Sequence, residues 1–132
     1  MSTFVDTSAF LIVLDKADPD HAGAVQIWNQ LLEQDEVLIS TNYVVVETVS
    51  LLQRRFGVAM VRDFESRIVP ILLIEWIDQK THADALFAVF AANRRSLSLV
   101  DCVSFAVMRR RAISTVFAFD GHFEEQGFTC LR

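Results

Sequence analysis

The chain is short of turn formers. Four Gly and two Pro in 132 residues are too few breakers for an all-β fold of many tight turns. Cysteine is scarce as well. Cys102 and Cys130 form no Cys-x-x-Cys and no Cys/His pairing, which argues against a disulfide framework or a zinc site and leaves buried free thiols as the expectation. Long apolar runs are missing: the longest, Ala85–Ala92, has eight residues, against the roughly 20 that a membrane helix needs. A basic surplus is missing too. Seventeen acids against twelve Lys and Arg give a net charge of −5, which excludes a protein that coats nucleic acid through excess cations. No Lys or Arg precedes the first apolar stretch, so no signal peptide is expected and the expected compartment is the cytoplasm.

What the chain does have is apolar mass. It is 52% hydrophobic with eleven Phe, enough for one compact domain spanning 1–132. Its pattern predicts short apolar strands at Thr3–Val5, Val37–Ile39, Ile71–Ile74 and Thr115–Phe119, with a fifth at Phe128–Leu131. Between them the spacing predicts helices over Thr7–Leu14, from Pro19-Asp20 to Glu33, from the Ser40-Thr41-Asn42 caps to Phe56, and over Val58–Ile68. Two more run from Asp78 to Asn93 and from Ser98 to Arg111. Strands alternating with helices imply an α/β fold with a parallel sheet covered on both faces.

Five acids interrupt apolar surroundings: Asp6, Glu47, Glu75, Asp101 and Asp120. Each has an ordinary explanation beside a functional one. Asp6 follows a strand and precedes a helix, so it serves as an N-cap, yet α/β sheets bind ligands at the carboxyl ends of their strands. Asp101 completes a Ser98-x-x-Asp capping box, and the positive helix end also keeps a carboxylate ionised for a metal. Asp120 opens an Asp-Gly turn but again follows a strand. Glu47 sits among Val44, Val45, Val46 and Val49, with no basic residue three or four positions on, so no helix ion pair accounts for it. Glu75 fits either a strand-end site or a solvated sheet edge. Carboxylates gathered at strand ends and helix starts repel one another and resist burial. A divalent cation resolves that conflict, and oxygen-only donors suit Mg²⁺ or Mn²⁺ better than Zn²⁺. Such an ion favours phosphate-ester or phosphodiester hydrolysis.

The blocks Phe4-Val5-Asp6-Thr7-Ser8-Ala9, Asn42-Tyr43-Val44-Val45-Val46-Glu47-Thr48, Ser98-Leu99-Val100-Asp101-Cys102 and Phe119-Asp120-Gly121-His122-Phe123 resemble, in order and spacing, those of PIN-domain ribonucleases. The likeness extends over essentially the whole chain and is greatest to the VapC-type toxins of toxin–antitoxin pairs. The resemblance implies a three-layer α/β/α sandwich around a short parallel sheet and a metal-dependent endoribonuclease. It implies that Asp6 and Asp101 are the principal metal ligands and that Asp120 completes the cluster or supports a second ion. Glu47 would bind an ion directly or through water, or orient the nucleophile, with Ser8 supporting the site. Glu75 has no counterpart. The implied partners are RNA, a VapB-like antitoxin and a second copy in a homodimer; no membrane is implied. Gly121 departs from relatives that often carry a basic residue there. His122 reads as a turn histidine between Asp120 and Phe123, with contact to RNA or to a water on the metal as the other reading.

The runs Arg54-Arg55, Arg94-Arg95 and Arg109-Arg110-Arg111 fall at predicted helix C-termini, where cations favour the dipole. Arg54, on the Glu47 stripe, is the candidate for steering RNA phosphates. Phe87, Phe90, Phe105, Phe117 and Phe119 read mostly as core. Two other functions stay open on the sequence. A small phosphatase would use Asp6 as nucleophile, although Ser8 stands where many such enzymes place a second Asp. A catalytically idle binding module of the same fold would show a degraded acidic quartet, and all four positions are intact.

Overall fold

The computed structural model describes residues 1–132. Strand β1 (Ser2–Val5) lies at the centre of a five-stranded sheet of order β3-β2-β1-β4-β5. Its partners are β2 (Val37–Thr41) and β4 (Thr115–Phe117), with β3 (Leu73–Glu75) and β5 (Thr129–Leu131) on the edges. Every pairing is parallel. Phe4, Val5, Val116 and Phe117 are buried, as expected for inner strands covered on both faces.

The connections are helical. Helices α1 (Thr7–Leu14) and α2 (His21–Glu33) link β1 to β2, and α3 (Asn42–Phe56) and α4 (Val58–Asp63) link β2 to β3. Helices α5 (Gln79–Ala92) and α6 (Leu99–Arg110) lead back across the sheet to β4, and α7 (His122–Glu125) joins β4 to β5. Right-handed crossovers place α1–α4 on one face and α5–α7 on the other, giving the three-layer α/β/α sandwich. One cluster holds 25 buried apolar residues, with Phe4, Phe10, Phe64, Phe117 and Phe123 fully enclosed, so the layers share a continuous core. No helix is long and apolar enough to cross a membrane.

Local chemistry accounts for most boundaries. Asp6 caps α1, Thr41 caps α3 by accepting from the Val44 N–H, and Asp78 caps α5 by accepting from Thr81. Gly57 ends α3 at φ 92, a conformation that costs a residue with a Cβ. Several boundaries differ from the sequence expectation, among them the end of β2, which runs to Thr41 rather than Ile39. The Val58–Ile68 helix is α only to Asp63. It widens into a π turn over Phe64–Ile68, which buries both Phe64 and Ile68, and tightens to a 3₁₀ turn at Val69–Ile71. Pro70 sits in the first positions of that turn, where its missing N–H costs nothing, so the third strand begins at Leu73 rather than Ile71. β4 stops at Phe117, two residues before the expected end, because the chain there turns into the site.

The aromatic expectation is also corrected. Phe105 and Phe117 are core, but Phe87 and Phe90 are 74% and 69% exposed. Helix α5 is apolar on more than one side and buries only Thr81 and Ala85 fully, so these two rings face outward.

Candidate metal centre

Four elements bring the acids to the carboxyl end of the central strands. Val5 pairs with Phe117, and the Asp6 N–H donates to the Phe117 carbonyl at 3.1 Å. The chain segments after β1 and β4 therefore leave the sheet side by side, carrying Asp6 and Asp120. Helix α6 brings Asp101 in its first turn, and α3, packed on α6, brings Glu47.

The three Asp side chains are built alike. Asp6 Oδ2 accepts from the Ser8 N–H at 3.1 Å and the Ser8 hydroxyl at 2.6 Å. Asp101 Oδ2 accepts from the Ser98 N–H at 3.2 Å, while the Ser98 hydroxyl accepts from the Asp101 N–H, closing the capping box. Asp120 Oδ1 accepts from the His122 N–H at 2.9 Å. One oxygen of each carboxylate is thus held by its own loop, and the other takes no hydrogen bond from the protein. Capping and ligand roles, alternatives on the sequence, are compatible because a carboxylate has two oxygens.

Electrostatics ties the groups together. Asp6 is 4% exposed. Burial pushes its pKa up to about 6; Ser8 opposes the shift, and the neighbouring Asp101 and Glu47 charges add to it. Burial also raises Asp101, which is 8% exposed, and the Asp120 charge adds to the rise. Uncompensated carboxylates at close range have this signature, and a hard divalent cation relieves it. All-oxygen donors of this kind suit such an ion, but Asp6 and Glu47 are tied to Asp101 only through their charges and lie outside the one tight ligand group. Ligand atoms of Asp101, Asp120 and His122 all lie within 4.8 Å of one another.

Ser8 does more than brace Asp6. Its hydroxyl oxygen also accepts the Phe119 N–H at 2.9 Å, joining the loop before Asp120 to the loop after Asp6. A buried hydroxyl pair locks α3 against the start of α1: Thr48 Oγ1 donates to the Val44 carbonyl at 2.7 Å and lies 3.2 Å from Thr7 Oγ1, from which it accepts. Sequence reasoning passed over Thr7 and Thr48. A Thr beside Glu47, in a helix otherwise rich in Val, was the available signal. Likewise unread was the Tyr43 hydroxyl against His82 Nδ1; His122, read first as a turn histidine and second as a contact to RNA or to a water on the metal, lies close to Asp101 and Asp120.

Glu75, the fifth acid, stands apart from the cluster. It ends β3 and pairs with Arg110 and Arg111, so it is neither a strand-end ligand nor a solvated edge residue. Arg109 stacks on Phe105 and Phe128 and donates to Gln126, and Arg94 pairs with Glu125 at 2.7 Å. Two of the three arginine runs thus contribute partners to structural contacts, while Arg54 is exposed. At Gly121 the backbone has φ −69, and a Cβ there would meet nothing within 4 Å. Glycine is therefore not a backbone requirement at this position.

A recess of about 310 Å³ lined by Asn42, Tyr43, Val46, Glu47 and Val100 adjoins the acids. The largest cavity, about 620 Å³, lies elsewhere, between the α1–α2 turn and the α3–α4 region, and contains none of the four.

Known proteins share this fold. The PIN domain family model matches residues 3–128. The chain is 33% identical over 130 residues to the 23S rRNA-specific endonuclease VapC20 of Mycobacterium tuberculosis, covering 98% of this chain and 97% of the relative. The crystal structure of that VapC20, described as a sarcin–ricin loop cleaving toxin, superposes with a TM-score of 0.85 over 99% of both chains. FitAcB from Neisseria gonorrhoeae, at 14% identity, shares the fold with a TM-score of 0.71 over 98% of this chain and 96% of its own. With the family model spanning nearly the whole chain and a full-length relative at one-third identity, the protein belongs to the PIN-domain family.

Proposed function

We propose that this chain is a metal-dependent endoribonuclease that hydrolyses RNA phosphodiesters, the toxin of a toxin–antitoxin pair, acting as one catalytic domain over 1–132 in the cytoplasm. The observation that carries the reading is the convergence of four carboxylates, from four separate elements, on one end of the sheet. The endonuclease activity of its VapC20 relative supports the choice of RNA. Asp6 and Asp101 are the principal ligands for Mg²⁺ or Mn²⁺, with Asp120 beside them and Glu47 binding the ion or orienting the attacking water. A divalent cation, when bound, supplies polarisation of the phosphodiester and activation of water. The protein does the positioning. Ser8 and Ser98 hold one oxygen of Asp6 and Asp101, and Ser8 fixes the spacing between the Asp6 and Asp120 loops. Arg54, exposed on the Glu47 helix, steers the RNA backbone.

Two surfaces support protein partners. The recess at Tyr43, Val46 and Val100 opens beside Glu47, where a VapB-like antitoxin would cover the site. The outward Phe87 and Phe90 of α5 suit a second copy in a homodimer. Nothing favours the phosphatase. Lys16 is exposed, and Lys80 pairs with Asp84, so neither lysine serves the acids.

The test is cleavage of RNA, 23S rRNA included, by purified protein with Mn²⁺ or Mg²⁺, with EDTA, and with Asp101→Asn. Metal-dependent cleavage that falls by at least ~100-fold in the variant is expected. Cleavage that survives chelation, or is unchanged in Asp101→Asn, refutes the reading; a folded chain that binds no Mn²⁺ by calorimetry and cuts no RNA favours the idle binding module.

A further inference from the structure

We propose that His122 is a nitrogen ligand of the divalent cation held at Asp101 and Asp120, and that it biases this position toward Mn²⁺ over Mg²⁺. The inference rests on the metal-dependent reading above and adds to it a donor of different chemistry.

His122 opens α7, directly after the Asp120-Gly121 turn. Its backbone N–H is spent on Asp120 Oδ1 at 2.9 Å, which pins the residue to the acid it follows. The imidazole side chain is only 14% exposed. Its Nε2 lies 3.8 Å from Asp120 Oδ1, the oxygen that accepts from the His122 N–H, and one ring nitrogen lies within 4.8 Å of carboxylate oxygens of both Asp101 and Asp120. Two ligands of one ion take up such a spacing: near, convergent and not bonded to each other.

The far side of the ring supports the same assignment. Nδ1 is buried without a hydrogen-bond partner in the fold as it stands, and the nearest carboxylate oxygen, Glu125 Oε1, is 3.8 Å away. Glu125 is itself held by Arg94 at 2.7 Å. Carboxylate behind, imidazole between, acids in front: metal-binding histidines are usually arranged in this way, the rear carboxylate fixing the tautomer and turning Nε2 toward the ion. A small rotation of the ring or of Glu125 closes the Nδ1–H to carboxylate bond. Glu125 is a positioning residue here and His122 the ligand.

The donor type has a consequence for the ion. Mg²⁺ takes oxygen ligands and keeps its waters, whereas imidazole suits transition metals. A purely acidic quartet would discriminate weakly between Mg²⁺ and Mn²⁺. Adding His122 tips the position at Asp101 and Asp120 toward Mn²⁺.

Electron spin-echo spectroscopy of the Mn²⁺-loaded protein reads the bond directly. The expected result is ¹⁴N modulation from an imidazole in the wild type, absent in His122→Asn. Calorimetric titration of the same pair gives a second readout: Mn²⁺ affinity falls by roughly tenfold or more in the variant, the scale of losing a group that shapes a metal site, while Mg²⁺ affinity changes little. Mn²⁺ bound with no nitrogen modulation in the wild type overturns the proposal while leaving the metal-dependent nuclease standing. No Mn²⁺ binding at all overturns both. Equal losses for Mn²⁺ and Mg²⁺ in His122→Asn refute the selectivity. Wild-type spectroscopy is independent of whether the variant folds.

Discussion

Asp6→Asn should make the metal-free protein more stable, and the gain should vanish in acid. Asp6 is buried, and its pKa rises from 3.8 to about 6, chiefly through burial, with the Asp101 and Glu47 charges adding. The folded state therefore binds this proton more tightly than the unfolded chain does. The stability linked to it is fully present below the unfolded value of 3.8 and is lost as pH climbs through about 6. At 1.36 kcal/mol per unit, the shift amounts to about 3 kcal/mol of destabilisation at pH 7.5. Asparagine removes the charge and keeps an oxygen that can accept from Ser8, so the helix cap survives. Its amide then faces carboxylates rather than adding to their repulsion. For a chain of this length the ceiling corresponds to a rise in Tm of about 10 °C; some relaxation around the wild-type carboxylate brings the expected rise to roughly 5–10 °C. Scanning calorimetry on chelator-treated protein at pH 7.5 and pH 4 measures it. An unchanged or lower Tm at pH 7.5, or an equal gain at both pH values, refutes the claim that a repelled, desolvated carboxylate is the cause. The trade of stability for a charged site is a common one.

Three other variants probe separate parts of the structure. Ser8→Ala leaves the Phe119 N–H without its acceptor and removes a hydroxyl that holds Asp6 ionised; stability should fall by about 1–2 kcal/mol in urea titration, and the acid limb of the pH–rate profile should move to higher pH. Glu75→Gln deprives Arg110 and Arg111 of a mostly buried counter-charge, and a loss of about 1–2 kcal/mol with intact metal affinity is expected from denaturation and calorimetry. Phe87→Glu combined with Phe90→Glu should abolish the proposed self-association in sedimentation velocity while changing the folding stability of the chain by no more than about 0.5 kcal/mol in urea titration, since both rings are exposed.

Legibility varied with the range of the forces involved. Helices α1 and α3 were readable because their signals are local: Asp6 before Thr7–Leu14, Thr41 before Asn42 and Gly57 after Phe56. The strand-end rule pointed to Asp6, and the run of Val around Glu47 marked that residue as unexplained. What escaped was set by tertiary packing. The π turn at Phe64–Ile68 exists to bury two side chains that an unbroken α-helix would present differently. Glu75 meets Arg110 and Arg111 across some thirty-five positions, beyond any local pattern. Four-residue α7 is too short to show a period, and so His122 read as part of a turn. Phe87 and Phe90 looked like core because apolar content says nothing about which faces of a helix find a neighbour.

The bond from Phe119 to Ser8 joins residues 111 apart in sequence, and this spacing has a consequence for timing. During synthesis Asp6, Glu47 and Asp101 are all made before the strand that completes their surroundings. Until Thr115–Phe117 slots in beside β1, Ser8 has no backbone partner there, and Asp120 has no fixed place next to Asp6. Because domains fold as units and non-local pairings form late, a partly made chain carries the acids without the centre. The acids of the centre thus come together only once β4 has paired with β1.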